Sequence, residues 1–171
     1  MKIEQNIIKR KLIHFIFGNL FAILFLFYQK FMTIFFALAI ISSAIFTKYI
    51  KDAERVFWYF LGVAIISAFY LTIHPKIIAS AMLITANGDV FSALFGMKFG
   101  KKKIPLSSKT YIGTFSAFLL SFIPVFILIK NFYIALIGAF VGAIVEAYSP
   151  LNDNFTVPIF SFIAIYLAYI I

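Results

Sequence analysis

An all-helical bundle that crosses a membrane about seven times is the fold class this sequence predicts, and three observations carry it. The first is composition. Of 171 residues, 64% are hydrophobic, 20% aromatic and only 12% charged, and the mean hydropathy is +1.05. Soluble domains carry about 25% charged residues, so there is too little polar surface here to clothe a soluble globule. The second is run length. The apolar runs extend for roughly 16 to 21 residues, close to what a hydrocarbon core of about 30 Å asks of a helix. The third is period: nothing alternates with the spacing of two that a barrel strand needs, and backbone groups in lipid must otherwise be satisfied within a helix. One integral membrane domain over residues 1–171 follows.

The expected spans are Leu12–Tyr28, Phe31–Phe46, Val56–Ile73, Ile77–Met97, Tyr111–Ile129, Phe132–Ser149 and Phe155–Ile171. The first follows a basic N-terminal stretch; its apolar run is too long for a signal peptide, lacks a small-residue cleavage site and is followed by further spans. The connections Gln29-Lys30 and Lys130-Asn131 are short enough to imply antiparallel helix hairpins. Gly138 and Gly142, four apart in the sixth span, read as a close-packing surface, and His74, beside Pro75, as a plain loop residue.

Basic residues set the expected orientation. The N-terminus carries Lys2, Lys9, Arg10 and Lys11; the second loop carries Lys48, Lys51 and Arg55; the fourth carries Lys98, Lys101, Lys102, Lys103 and Lys109. The opposite side has only Lys30, Lys76 and Lys130. An asymmetry of twelve against three places the N-terminus in the cytoplasm by the positive-inside rule. The net charge of +9 then belongs to topology and lipid headgroups rather than to nucleic acid. With no cysteine, disulfides, thiolate nucleophiles and thiol ligands are excluded.

Six acids remain. Glu4, Asp52 and Glu54 lie in basic polar segments, where solvent accounts for them. Asp89 lies inside the fourth span, about eight residues or on the order of 12 Å from its cytoplasmic end. Glu146 closes the sixth span, and Asp153 lies in the loop after it, among Asn152 and Asn154. All three approach one membrane face, and ionisable groups within spans are costly enough to suggest function; a buried ion pair that fixes helix packing is the plainer alternative for Asp89. Asn87, Gly88, Asp89, Ser92 and Gly96 interrupt the fourth span, with Asp89, Ser92 and Gly96 on one face. Glycines at 88, 96 and 100 let a ligand or a backbone come close. Lys98, Lys101 and Lys109 follow. A carboxylate beside glycines and lysines suits a metal-bound polyphosphate, the acid holding Mg²⁺ and the lysines neutralising phosphate oxygens; basic inner loops are the competing explanation for the lysines. In the first span Arg10, Lys11, His14 and Gly18 make a polar stripe entering the membrane, suited to phosphate or to interfacial anchoring.

Taken in order, Arg10-Lys11-x-x-His14, then Gly88-Asp89 with Ala93, Gly96 and Gly100-Lys101, then Lys109-Thr110-x-x-Gly113-Thr114, and finally Glu146 with Asp153-Asn154-x-x-x-Pro158 resemble the dolichol kinase, phytol kinase and CTP-dependent diacylglycerol kinase family of membrane lipid kinases. The resemblance spans residues 10 to 158. Two positions depart from the family's pattern: Ile112 stands where an acid often precedes the glycine, and Glu4 is further from the Arg-Lys pair than the family's acid. The resemblance implies phosphoryl transfer from CTP, with Mg²⁺ or another divalent cation, to a lipid alcohol such as a polyprenol, another isoprenoid alcohol or diacylglycerol. It implies Asp89, Glu146 and Asp153 as catalytic and metal-holding residues. Arg10, Lys11, His14, Gly88, Gly96, Lys98, Gly100, Lys101, Lys109, Gly113 and Asn154 are its nucleotide- and phosphate-binding residues. The setting is a multi-pass cell-membrane protein with its active site on the cytoplasmic face. Two alternatives stand beside it. A phosphatidate cytidylyltransferase would make a CDP-lipid, although its usual Lys-Asp and His-Gly-Gly-type signature is absent. A small transporter would put polar groups near the midplane between repeats, which this chain lacks.

Overall fold

The computed structural model describes residues 2–50, 53–149 and 151–171. Expectations placed on Lys51, Asp52 and Pro150, and on the side chains of Lys2 and Glu4, lie outside what it describes. Among the described residues seven helices form: α1 (Lys2–Phe27), α2 (Gln29–Phe46), α3 (Ala53–Ser67), α4 (Pro75–Phe99), α5 (Tyr111–Ile129), α6 (Phe132–Tyr148) and α7 (Asp153–Ile170). Among those residues no strand forms beyond one isolated bridge between Lys103 and Thr110. Five helices, α1, α2, α4, α5 and α7, are long and apolar enough to cross a membrane; α6 is apolar but shorter.

The bundle is organised around α4. This helix is buried on nearly every side from Ile77 to Ser92, as an all-round apolar helix must be, and it packs on α5, α1, α7 and, more lightly, α6. His74 is not a plain loop residue: its ring accepts a hydrogen bond from the Lys76 backbone N–H at 3.3 Å, and Pro75 occupies the first helical position, where a missing N–H costs nothing. The third helix, α3, stops at Ser67 instead of continuing to Ile73. Residues 68–73 run in turns, and His74, the residue before the proline, is held out of the helical region. Asn87 and Gly88 do not interrupt α4, which runs unbroken through both because each can hold helical dihedrals. The link between α1 and α2 is Tyr28 alone, so Gln29 and Lys30 belong to the first turn of α2.

Small residues let the helices approach. A Cβ on Gly18 would lie 2.6 Å from the Ala86 side chain, pressing α1 onto α4. Gly138 and Gly142 meet Ile84, Ile165 and Ser161, the close packing their spacing suggests. Phe21, Phe35, Phe36 and Phe60 cluster between α1, α2 and α3. Outward, the helices expose Phe27, Phe31, Leu38, Phe115, Ile127 and Phe140, an apolar surface far more continuous than water tolerates.

Candidate active site

Three helices bring their acids together at one end of the bundle. Asp89 projects from α4, Glu146 from the last turn of α6, and Asp153 from the first turn of α7. One carboxylate oxygen from each lies within 4.8 Å of the others. Asp153 was expected in a loop. Asn152 instead caps α7, its side chain accepting from the Asn154 N–H at 3.1 Å, so that Asp153 begins the helix, where a carboxylate suits the dipole. Asp89 and Glu146 are buried and Asp153 is half-buried.

Three carboxylates this close repel one another unless cations intervene. Lys11 from α1 forms an ion pair with Asp89. Lys109, from the loop before α5, pairs with Glu146 and reaches Asp153 at 3.1 Å. Burial works against the Lys109 ammonium, but the Glu146 and Asp153 carboxylates outweigh it and hold the group above the ordinary lysine range. Ser92, one turn along α4 from Asp89, donates to Glu146 at 3.1 Å. His14 Nε2 lies 4.0 Å from Asp89, beyond hydrogen-bond reach. Within the cluster, three carboxylates face two ammonium groups. The donor set is all carboxylate oxygen, with no thiol, and fits a hard divalent cation such as Mg²⁺; Asp89, Glu146 and Asp153 would hold it.

Two cavities meet here. One, of about 320 Å³, is mostly apolar, with Ile13, Phe17, Phe21, Val56 and Phe60 beside Arg10, Lys11, His14, Gly18 and Tyr59. The other, of about 640 Å³, is polar and lined by Ser107, Ser108, Lys109, Glu146, Ser149, Asn152 and Asp153. Lys11, Arg55, Asp89 and Asn154 line both.

Asp89, Glu146, Asp153, Arg10, Lys11, His14, Lys109 and Asn154 thus all border these cavities. The other expected phosphate-binding residues are elsewhere. Lys98, in the last turn of α4, lies over the Phe99 ring at 5.2 Å and is exposed, as is Lys101 just beyond the helix; neither lines either cavity. Gly96 and Gly113 make the crossing of α4 and α5: a Cβ on Gly113 would lie 2.7 Å from the Ser92 carbonyl and 3.3 Å from Gly96 Cα. Gly100 packs tightly against Thr110, whereas Gly88 faces Ser121 Oγ with room to spare. At Gly96, Gly100 and Gly113 the near neighbours are protein atoms of α4 and the start of α5, so these three serve close packing. Thr110 likewise caps α5, accepting from the Gly113 N–H at 3.1 Å.

Arg55 and Tyr59 escaped the sequence reading as site residues. A signal was present: Arg55-x-x-x-Tyr59 repeats the four-residue spacing of Arg10 and His14, which puts both on one helix face. No family model, no curated protein and no solved structure matches the chain.

Proposed function

We propose that this protein is a membrane lipid kinase, spanning the bilayer seven times with its N-terminus in the cytoplasm, that transfers a phosphoryl group from a nucleoside triphosphate, CTP first among them, to a lipid alcohol. The observation that carries the reading is the meeting of a polar and an apolar cavity at Asp89, beside two further carboxylates. A reaction between a water-soluble polyphosphate and a membrane-soluble alcohol needs such a junction. The polar cavity suits the triphosphate, with Lys109, Lys11 and Arg55 facing its oxygens, and the apolar cavity suits the alcohol. In the transfer, the alcohol oxygen bonds to the terminal phosphorus while that phosphorus releases the bridging oxygen, the nucleoside diphosphate departs, and the hydroxyl proton passes to a carboxylate of the cluster. Bound Mg²⁺ would supply charge neutralisation of the phosphate oxygens. Positioning and charge stabilisation account for most of such catalysis.

The test is product analysis. Purified protein in lipid vesicles receives labelled CTP, a divalent cation and, in turn, a polyprenol, a shorter isoprenoid alcohol and diacylglycerol. A phosphorylated lipid with CDP supports the kinase. A CDP-lipid with pyrophosphate replaces it with a cytidylyltransferase. No turnover with any lipid or nucleotide overturns the enzyme reading and favours a transporter.

A further inference from the structure

Burying a polar atom without a hydrogen-bond partner is costly, so several such atoms around one cavity need a reason. Among the described residues, His14 Nε2, Tyr59 Oη and Asn154 Oδ1 are buried and have no hydrogen-bond partner, and all three residues line the apolar cavity. Tyr59 is 5% exposed and Asn154 7%. The Tyr59 hydroxyl can donate, Asn154 Oδ1 can only accept, and the imidazole nitrogen does either according to its tautomer. Arg10, Lys11, Arg55 and Asp89 also border this cavity, but these three uncharged groups offer donors and acceptors of both kinds beside Ile13, Phe17, Phe21, Val56 and Phe60, which suits a hydroxyl on an apolar chain.

The cavity also has a way in. The backbones of α1 and α3 stand apart: α1 packs mainly on α4, and α3 mainly on α2 and α7, so α1 and α3 meet through side chains. Across the gap the His14 and Tyr59 rings meet edge to face at 5.0 Å, and Phe21 and Phe60 lie 6.0 Å apart. Ile13, Phe17 and Val56 line the cavity and are also exposed on the outer apolar surface. The opening therefore faces hydrocarbon.

We propose that the gap between α1 and α3 is a lateral entrance from the bilayer, and that Tyr59 is the residue that seats the hydroxyl of an alcohol-ended lipid, donating to its oxygen while Asn154 Oδ1 or His14 Nε2 accepts a hydrogen bond from it. The chain stays in the opening, so selection acts on the hydroxyl end rather than on chain length. This rests on the lipid-kinase reading for its consequence, but the binding itself needs no nucleotide.

The experiment is nucleotide-free binding to the full chain in nanodiscs. Tritiated oleyl alcohol is the probe and octadecane the competitor that lacks oxygen. Wild type should prefer the alcohol. Tyr59→Phe removes one neutral hydrogen bond and should weaken alcohol binding about threefold to tenfold. Octadecane should bind unchanged. Because the hydroxyl has no partner in the empty protein, the melting temperature of Tyr59→Phe should hold or rise; a merely structural hydroxyl would lower it. Equal alcohol affinity in Tyr59→Phe and wild type overturns the assignment, as does indifference of wild type between alcohol and hydrocarbon, and either result leaves the kinase reading intact if phosphorylated lipid still forms. Alcohol binding that depends on Tyr59 without phosphoryl transfer from any nucleotide supports the site and removes the kinase.

Discussion

Asp89 stands where two demands meet, since it pairs with Lys11 and also borders both cavities. If it served only to lock α1 onto α4, removing its charge would leave the half-buried Lys11 uncompensated and the protein would lose stability. If it takes part in phosphoryl transfer, turnover falls first. Asp89→Asn keeps the shape, and the expected outcome is a protein that inserts and melts cooperatively but turns over about 10²–10⁴-fold more slowly; full activity in that variant would remove Asp89 from the chemistry. Lys109 gives a prediction in pH. Its value is raised above the ordinary 10.5, so the stabilisation from its ion pairs is fully present below the unfolded value and is lost only as pH climbs through the folded one. Thermal melts of wild type and Lys109→Met should therefore differ by a constant amount from neutral pH up to about 10.5; a gap that closes earlier would mean the lysine is not held charged. The acids were legible in the sequence because a carboxylate in an apolar run is expensive and therefore conspicuous. Lys98 and Lys101 were misplaced because a lysine at the end of an apolar span obeys topology and phosphate alike. Tyr59 was hidden, since tyrosine is ordinary in such a chain and only tertiary packing strands its hydroxyl.

Helix boundaries were legible wherever one local rule acted alone. The expected start and end of α5 coincide with Tyr111 and Ile129, between the Thr110 cap and Lys130, whose φ of 58° breaks the helix. Hydropathy by itself erred at α3, whose apolar run continues past Ser67 although the helix ends there, and at α1, which stays helical far into its basic segment. The glycines separate packing from ligand binding. Gly113 sits so close to the Ser92 carbonyl that a methyl group must push α5 away from α4, and Ser92 is the donor to Glu146. Gly113→Ala should cost about 1–3 kcal/mol through overpacking and lower activity with it. Gly88→Ala meets only Ser121 Oγ at 3.6 Å, and alanine favours a helix interior by roughly 0.5–1 kcal/mol, so it should leave melting unchanged or raised and turnover intact. Lost turnover in a stable Gly88→Ala protein would restore Gly88 to the nucleotide site.

For the molecule as a whole, α4 is the ruler. Lys76 opens it and Lys98 nearly closes it, about 33 Å apart at 1.5 Å per residue, which is the depth of a hydrocarbon core. Asp89 lies nearer the Lys98 end, and Lys11 and Lys109 join it there. Lys30 opens α2 and Lys130 closes α5, at helix ends away from that cluster. The basic asymmetry thus follows the same axis as the cavities, and under the positive-inside rule the proposed orientation puts nucleotide access, the carboxylates and the Lys98–Lys109 loop in the cytoplasm together. The absence of native cysteine makes this directly measurable. Lys30→Cys and Lys102→Cys replace exposed side chains, so neither should disturb folding, and each presents a single thiol to a membrane-impermeant maleimide. In intact cells the reagent should label Lys30→Cys and spare Lys102→Cys, and permeabilised cells should label both. Labelling of Lys102→Cys alone in intact cells would invert the molecule, place both cavities outside, and leave a cytoplasmic nucleotide with no route to Asp89.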